Sequence, residues 1–104
     1  MDQGAAFDYR GLDDVIHSRI RLSIMAILAS VDVATFTHLR DEIGLTDGNL
    51  STHMSKLVEA GYVETHRVLD EGRAATRYRL TPDGRNAFSD YLTRLEDLLG
   101  GPRP

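Results

Sequence analysis

Between Leu45 and Arg85 the chain reads LTDGNLSTHMSKLVEAGYVETHRVLDEGRAATRYRLTPDGR, and the spacing of its apolar residues changes along the way. Leu50, Met54, Leu57 and Val58 recur at helical spacing and form one apolar face. Tyr62 to Leu69 instead alternates and is rich in β-branched and aromatic residues, as a strand is. Asp70 to Ala75 holds a Glu71-Gly72 turn signal, and Thr76 to Leu80 returns as a second strand. Thr81-Pro82 then opens a new helix, with threonine at the cap and proline at the first helical position, where its missing N–H costs nothing. Helix, basic-tipped hairpin, helix start: this order constrains the fold more than any other feature of the chain.

Upstream, Ile16, Ile20, Ile24, Ile27 and Leu28 form a helical stripe. It predicts an amphipathic helix from Leu12 to about Ser30, with Asp13 or Asp14 at its cap and a point of interruption near His17 and Ser18. His17 is expected in that helix, partly buried and hydrogen-bonded. Val33 to Phe36 leaves room for a single strand or bridge. Thr37 is expected to cap a short helix carrying Leu39 and Ile43, which Gly44 ends by turning left-handed. A tight turn through Leu45 follows, and Thr46 or Asp47 caps the next helix, which Gly61 ends. Helix, short turn with glycine, helix is the helix-turn-helix unit. Ala87, Phe88, Tyr91, Leu92, Leu95, Leu98 and Leu99 give the last helix a wide apolar stripe, stopped by Gly100 and Gly101. The expected fold is α+β, mainly α, with a two- to three-stranded sheet and a long C-terminal helix. Residues 12–99 read as one domain, 1–11 as a loose or partner-stabilised arm and 100–104 as a short tail.

A length of 104 residues with 41% hydrophobic content supports one modest core. The absence of cysteine removes disulfides and thiolate metal sites, and fits a cytoplasmic protein. No run of about 18 apolar residues is present to span a membrane, and no signal peptide is evident. His17, His38, His53 and His66 lie far apart with no helical ligand pair, so no metal or other cofactor is expected. There is no glycine-rich phosphate loop, and Ser51 and His53 point to different faces of their helix. No catalytic residues are assigned, and the chain is not expected to be an enzyme.

The formal net charge is -4. The acids gather near the ends, at Asp2, Asp8, Asp13, Asp14, Asp90, Glu96 and Asp97, whereas Arg67, Arg73, Arg77 and Arg79 lie on and beside the hairpin. On the helix before it, Gly48, Asn49, Thr52, Ser55 and Lys56 point away from the apolar face. Small polar side chains with one lysine make a poor core but suit close approach to base edges and phosphates.

DGNLSTHMSKLVEAGYVE, a basic hairpin and TRYRLTPDGRNAF in that order resemble the winged helix-turn-helix transcriptional regulators of the MarR/ArsR type, and most of all the short subgroup with little beyond a DNA-binding domain. The resemblance spans roughly Leu12 to Leu99. It implies a recognition helix at about 46–60 in the DNA major groove and a wing at about 62–80 on the adjacent minor groove or backbone. Thr46, Asp47, Gly48, Asn49, Ser51, Thr52, His53 and Lys56 then fall at positions that approach DNA, with Lys56 on phosphate. Arg73 falls at the wing residue that reaches the minor groove or its phosphates, and Arg77 at a phosphate contact on the returning strand. The wing departs from the family pattern: relatives often carry an arginine-proline-arginine run, and here the tip is DEGRAAT.

The implied function is a sequence-specific double-stranded DNA-binding regulator, a homodimeric repressor on a palindromic operator. One small domain is not expected to bury both the isoleucines of the first helix and the leucines of the last. Ile16, Ile20, Tyr91, Leu92, Leu95 and Leu99 are therefore expected at a two-fold interface. The alternatives are a winged helix that docks on protein, and a sensor in which a small-molecule effector changes the spacing of two recognition helices.

Overall fold

Every helix begins at a serine or threonine whose side-chain oxygen accepts a backbone N–H from the first turn. The structure is a computed structural model and describes residues 11–100. Ser18 caps α1 (Arg19–Val31), Thr35 caps α2 (Phe36–Ile43), Thr46 caps α3 (Asp47–Glu59) and Thr81 caps α4 (Pro82–Leu98). Each such cap contributes about 1 kcal/mol and fixes where its helix starts.

Two of these starts differ from the sequence expectation. The first helix begins at Arg19 rather than Leu12, because Asp13 organises a turn of its own. Its carboxylate accepts the N–H groups of Val15 (2.8 Å) and Ile16 (3.3 Å), and its carbonyl accepts that of His17 (2.8 Å). The turn places Leu12 and Ile16 in the core without a helix, so their spacing mimicked one. His17 accordingly lies outside α1. The second helix is capped by Thr35, not Thr37, since Thr35 is also the last residue of β1 (Ala34–Thr35) and the chain turns directly from strand into helix. Gly44 ends α2 at φ 80, in the left-handed region, and its N–H bonds back to Arg40.

The hairpin joins β2 (Val63–Asp70) to β3 (Arg73–Leu80) through Glu71 and Gly72 alone. Both turn residues have positive φ, 52 and 79, the type I′ conformation whose twist matches that of the strands. The turn is thus shorter than the expected Asp70 to Ala75, and the strands run out to the tip. β1 pairs antiparallel with β3, giving a three-stranded sheet in the order β1-β3-β2.

Ile16, Ile24, Met25, Leu28, Leu39, Leu50 and Leu57 are fully buried where the helices meet. Burying each such side chain contributes about 1.5–3 kcal/mol. Ile16 and Ile24 find this cover within the chain's own core. Tyr91 is also buried, and Ile20 is half-buried against the same core. Val58, assigned to the apolar face of α3, is 41% exposed and lines an open groove between that helix and the sheet. Among the described residues no helix is long and apolar enough to cross a membrane.

The corner between α3 and β2 is closed by α4. The Tyr62 carbonyl accepts the Thr81 N–H at 3.0 Å, and a Cβ on Gly84 would stand 2.0 Å from that same oxygen. Only glycine permits this approach, which gives the TPDG run its physical meaning. Opposite, the Tyr62 hydroxyl donates to the Asp13 carboxylate, tying the N-terminal turn to the same corner. This hydrogen bond, then burial, pushes the Tyr62 phenol up to about 12.

Two outcomes follow for stability. Gly84→Ala should cost about 2 kcal/mol or more, a fall of roughly 10 °C in Tm, whereas Asp83→Ala should change little. Tyr62→Phe should cost about 1 kcal/mol at neutral pH. Because the folded phenol titrates above its ordinary value of about 10, its contribution is intact below pH 10 and is lost as pH rises towards 12. Melting curves of the two proteins between pH 8 and 12 should therefore converge as pH rises.

Candidate nucleic-acid interface

Leu50, Met54 and Leu57 seat α3 on the core, and the helix turns its opposite side outward. Gly48, Asn49, Thr52 and Lys56 form the outermost stripe and are all exposed. Ser51, Ser55 and Val58 form the edge nearest the sheet. With Met54, Glu59, Thr65 and Tyr78 they line a groove of about 350 Å³ between helix and wing. His53 lies on the other edge, half-buried beside α1.

The first residues of α3 are occupied structurally. The Thr46 hydroxyl accepts the Asn49 N–H at 3.2 Å. The Asp47 carboxylate pairs with Arg40 at 3.0 Å, which also holds Asp41 at 2.9 Å, so Arg40 clamps α2 to the start of α3. Further along, the Thr52 hydroxyl donates to the Gly48 carbonyl at 3.0 Å. Its proton is directed inward, and its outward character is that of an acceptor with a methyl group.

Alternation divides the wing arginines between two faces. Val63, Tyr78 and Leu80 are buried, so their face of the sheet is the one that packs on the helices. Thr65 and Arg67 on β2 share that face, opposite Tyr78 and Thr76. Arg67 is exposed there, donating to the Thr76 hydroxyl at 3.1 Å. Arg73, Arg77 and Arg79 belong to the other face, opposite Asp70, His66 and Glu64. Arg79 is paired with Glu64, and this contact, followed by His66 at 3.4 Å, holds the Glu64 carboxyl below its usual range. Among the described residues Arg67, Arg73 and Arg77 have no carboxylate partner, as is true of Lys56. Arg67 is not among the wing residues that the sequence resemblance picks out. Its signal is parity with Val63, which is readable once the inward residue of β2 is known.

The histidines have separate surroundings. His17 Nδ1 lies 2.8 Å from the Tyr91 hydroxyl, His38 bonds Glu42 at 2.9 Å, and His53 Nδ1 lies 2.9 Å from an Arg21 guanidinium nitrogen. Among the described residues no three His, Asp or Glu side chains converge as a metal site would need. Burial, then the charges of Arg21 and Lys56, lowers the His53 pKa. This contact joins residues of different helices and has no local signature in the chain.

Of the residues expected between two chains, Ile16 and Tyr91 lie in the chain's own core and Ile20 packs against it. Leu95 is half-buried, whereas Leu92 is 46% exposed and Leu99 72% exposed. Leu92 and Leu95 lie on one line of α4, which the C-cap residue Leu99 continues at i+7.

Known proteins share this arrangement. Residues 20–99 match the family model of the winged helix DNA-binding domain. The uncharacterized protein MJ0432 of Methanocaldococcus jannaschii is 37% identical over 84 residues, covering 81% of this chain and 91% of the relative. The structure of a transcriptional regulator homologue from Pyrococcus horikoshii OT3 superposes with a TM-score of 0.78 at 28% identity, covering 83% of this chain and 85% of that one. Diamide-treated YodB from B. subtilis superposes with a TM-score of 0.74 over 86% of this chain and 88% of its own, and at 15% identity shares the fold alone. The chain belongs to the winged helix DNA-binding domain family.

Proposed function

We propose that this chain is a sequence-specific transcriptional regulator of the MarR/ArsR kind, a homodimeric repressor acting in the cytoplasm on a palindromic operator. The observation that carries this reading is the outer stripe of α3: Gly48, Asn49, Thr52 and Lys56, exposed on a helix whose other side is locked into the core. Side chains this short reach base edges only if the helix itself enters the major groove. The likeness to a transcriptional regulator homologue supports the regulatory role.

In this reading Asn49 and Thr52 face bases, with Ser51 and His53 at the two edges of the stripe. Asn49 suits adenine, to which an amide can both donate and accept, and the Thr52 oxygen suits an amino group. Gly48 lets the backbone approach, while Thr46 and Asp47 hold the helix start in place. Lys56 neutralises phosphate. Arg67 lies on the wing face nearer α3 and meets the backbone beside the major groove, while Arg73 at the tip reaches the minor groove and Arg77 a phosphate beyond it. Repression is steric: a bound dimer covers DNA that polymerase needs.

The dimer is built through α4. Leu92 and Leu99 are exposed apolar side chains in line with Leu95, and an isologous pairing of this line with its copy removes them from water. Two recognition helices would then stand about one DNA turn apart, roughly 34 Å.

Selection from a pool of random duplexes at two salt concentrations tests the DNA reading. A palindromic motif should emerge, with affinity falling steeply in salt. Lys56→Ala and Arg67→Ala should each flatten the slope of log affinity against log salt by about one unit, whereas Arg79→Ala should barely change it. No enriched motif and no binding at low salt would favour a protein-docking role. Separately, the double change Leu92→Glu and Leu99→Glu should convert a dimer to a monomer in sedimentation velocity. Because both side chains are exposed in one chain, each protomer should stay folded by circular dichroism.

A further inference from the structure

Arg21 stands in the first turn of α1 and makes two directed contacts. Its Nε donates to the Val15 carbonyl, and its Nη1 lies 2.9 Å from His53 Nδ1. A guanidinium has five donors, no acceptor and no accessible deprotonation. The histidine nitrogen facing it must therefore be the acceptor. A ring that accepts through Nδ1 carries its single proton on Nε2, and a doubly protonated ring would set N–H against N–H and cation against cation.

We propose that Arg21 is a positioning residue for DNA reading: it locks His53 as a neutral ring whose Nε2–H is a donor and nothing else. This rests on the proposed docking of α3 in the major groove. Among the described residues Nε2 has no hydrogen-bond partner, and His53 stands directly beside exposed Thr52 and one turn from Lys56. A fixed donor selects acceptors: phosphate oxygen, purine N7, guanine O6 or thymine O4. It refuses the amino groups of adenine and cytosine. Its neighbour Thr52 has the opposite polarity, since its hydroxyl proton is already directed at Gly48. Two adjacent residues of the reading helix thus present one fixed donor and one fixed acceptor.

The surroundings of the ring keep it in this state. Arg21 faces it from α1 and Lys56 from α3, while Asp14 and Glu59 line the same recess as those two cations. Burial and the two positive charges lower the pKa of His53, so the ring stays neutral around pH 7. Removing Arg21 would free both nitrogens to carry the proton and let the ring charge at a higher pH.

The test uses the full chain with 15N-labelled histidine. Long-range proton–nitrogen spectra of the free protein from pH 5 to 8 report tautomer and titration; binding to a selected duplex and its single-base variants reports reading. Wild type should show Nε2–H and titrate below the ordinary value of about 6.5. Its affinity should vary little with pH between about 7 and 8. Arg21→Met should give mixed tautomers, a higher midpoint and binding that tightens as pH falls, with Arg21→Lys in between. His53→Ala should lose roughly tenfold discrimination at one base pair, and His53→Gln, which keeps a donor near the Nε2 position, should retain part of it.

An Nδ1–H ring in wild type, or an unchanged titration in Arg21→Met, overturns the lock. Spectra as expected, with every variant discriminating bases like wild type, overturn the reading role. Failure of wild type to bind any duplex overturns the DNA docking and the reading role with it, while the spectra of the free protein still decide the lock.

Discussion

The outward face of α3 depends on the three side chains that point the other way. Leu50, Met54 and Leu57 are inserted among Ile24, Met25, Leu28 and Leu39, and together they fix the rotation of α3 about its own axis. A turn of one residue position, about 100°, would bury Ser51 and expose Leu50. That exchange costs several kcal/mol of apolar burial, so the register of the polar stripe is set by the core rather than by anything in the stripe. Arg40 adds a second constraint by holding Asp47 at the start of the helix. The corner formed by Gly61, Tyr62 and Gly84 adds a third at its end.

Short side chains need this rigidity. In the proposed docking Asn49, Ser51 and Thr52 have little reach and little freedom, so a small shift of the helix would remove their base contacts, and each hydroxyl or amide must already face the right way. The charges follow the same economy. A net charge of -4 speaks against indiscriminate attraction to DNA, and several cations are held by acids: Arg40 by Asp41 and Asp47, Arg79 by Glu64. Lys56, Arg67, Arg73 and Arg77 remain around the helix and wing. On the proposed reading, few free cations on an acidic body keep non-specific DNA binding weak and leave more of the selectivity to base contacts.

Much of this was legible in the sequence, because local chemistry wrote it there. Thr46, Gly44, Thr81-Pro82 and the Glu71-Gly72 turn act within a few residues of themselves, and their elements fall where those signals put them. The errors arose where a local pattern had a non-local cause. Leu12 and Ile16 continue the isoleucine stripe of α1, yet Asp13 bends the chain, so a helical spacing arose without a helix. Val58 fits the apolar face of α3 by periodicity but lines the open groove between helix and sheet. Arg67 required the pleat of β2 to be anchored by Val63, and Arg21 with His53 required two helices to be placed together. The role of Gly84 depended on a carbonyl more than twenty positions earlier in the chain, which no window of sequence contains.

The direct measurement of the central claim is a backbone amide NMR titration of the 15N-labelled protein with its selected duplex. If α3 enters the groove as described, the largest shift changes fall on Gly48, Asn49, Thr52, His53 and Lys56, with a second set at Arg67 and the wing tip. Residues of α4 remain near their free positions. Changes concentrated on α4 or on the β1 edge of the sheet, with the α3 stripe unmoved, would contradict the account.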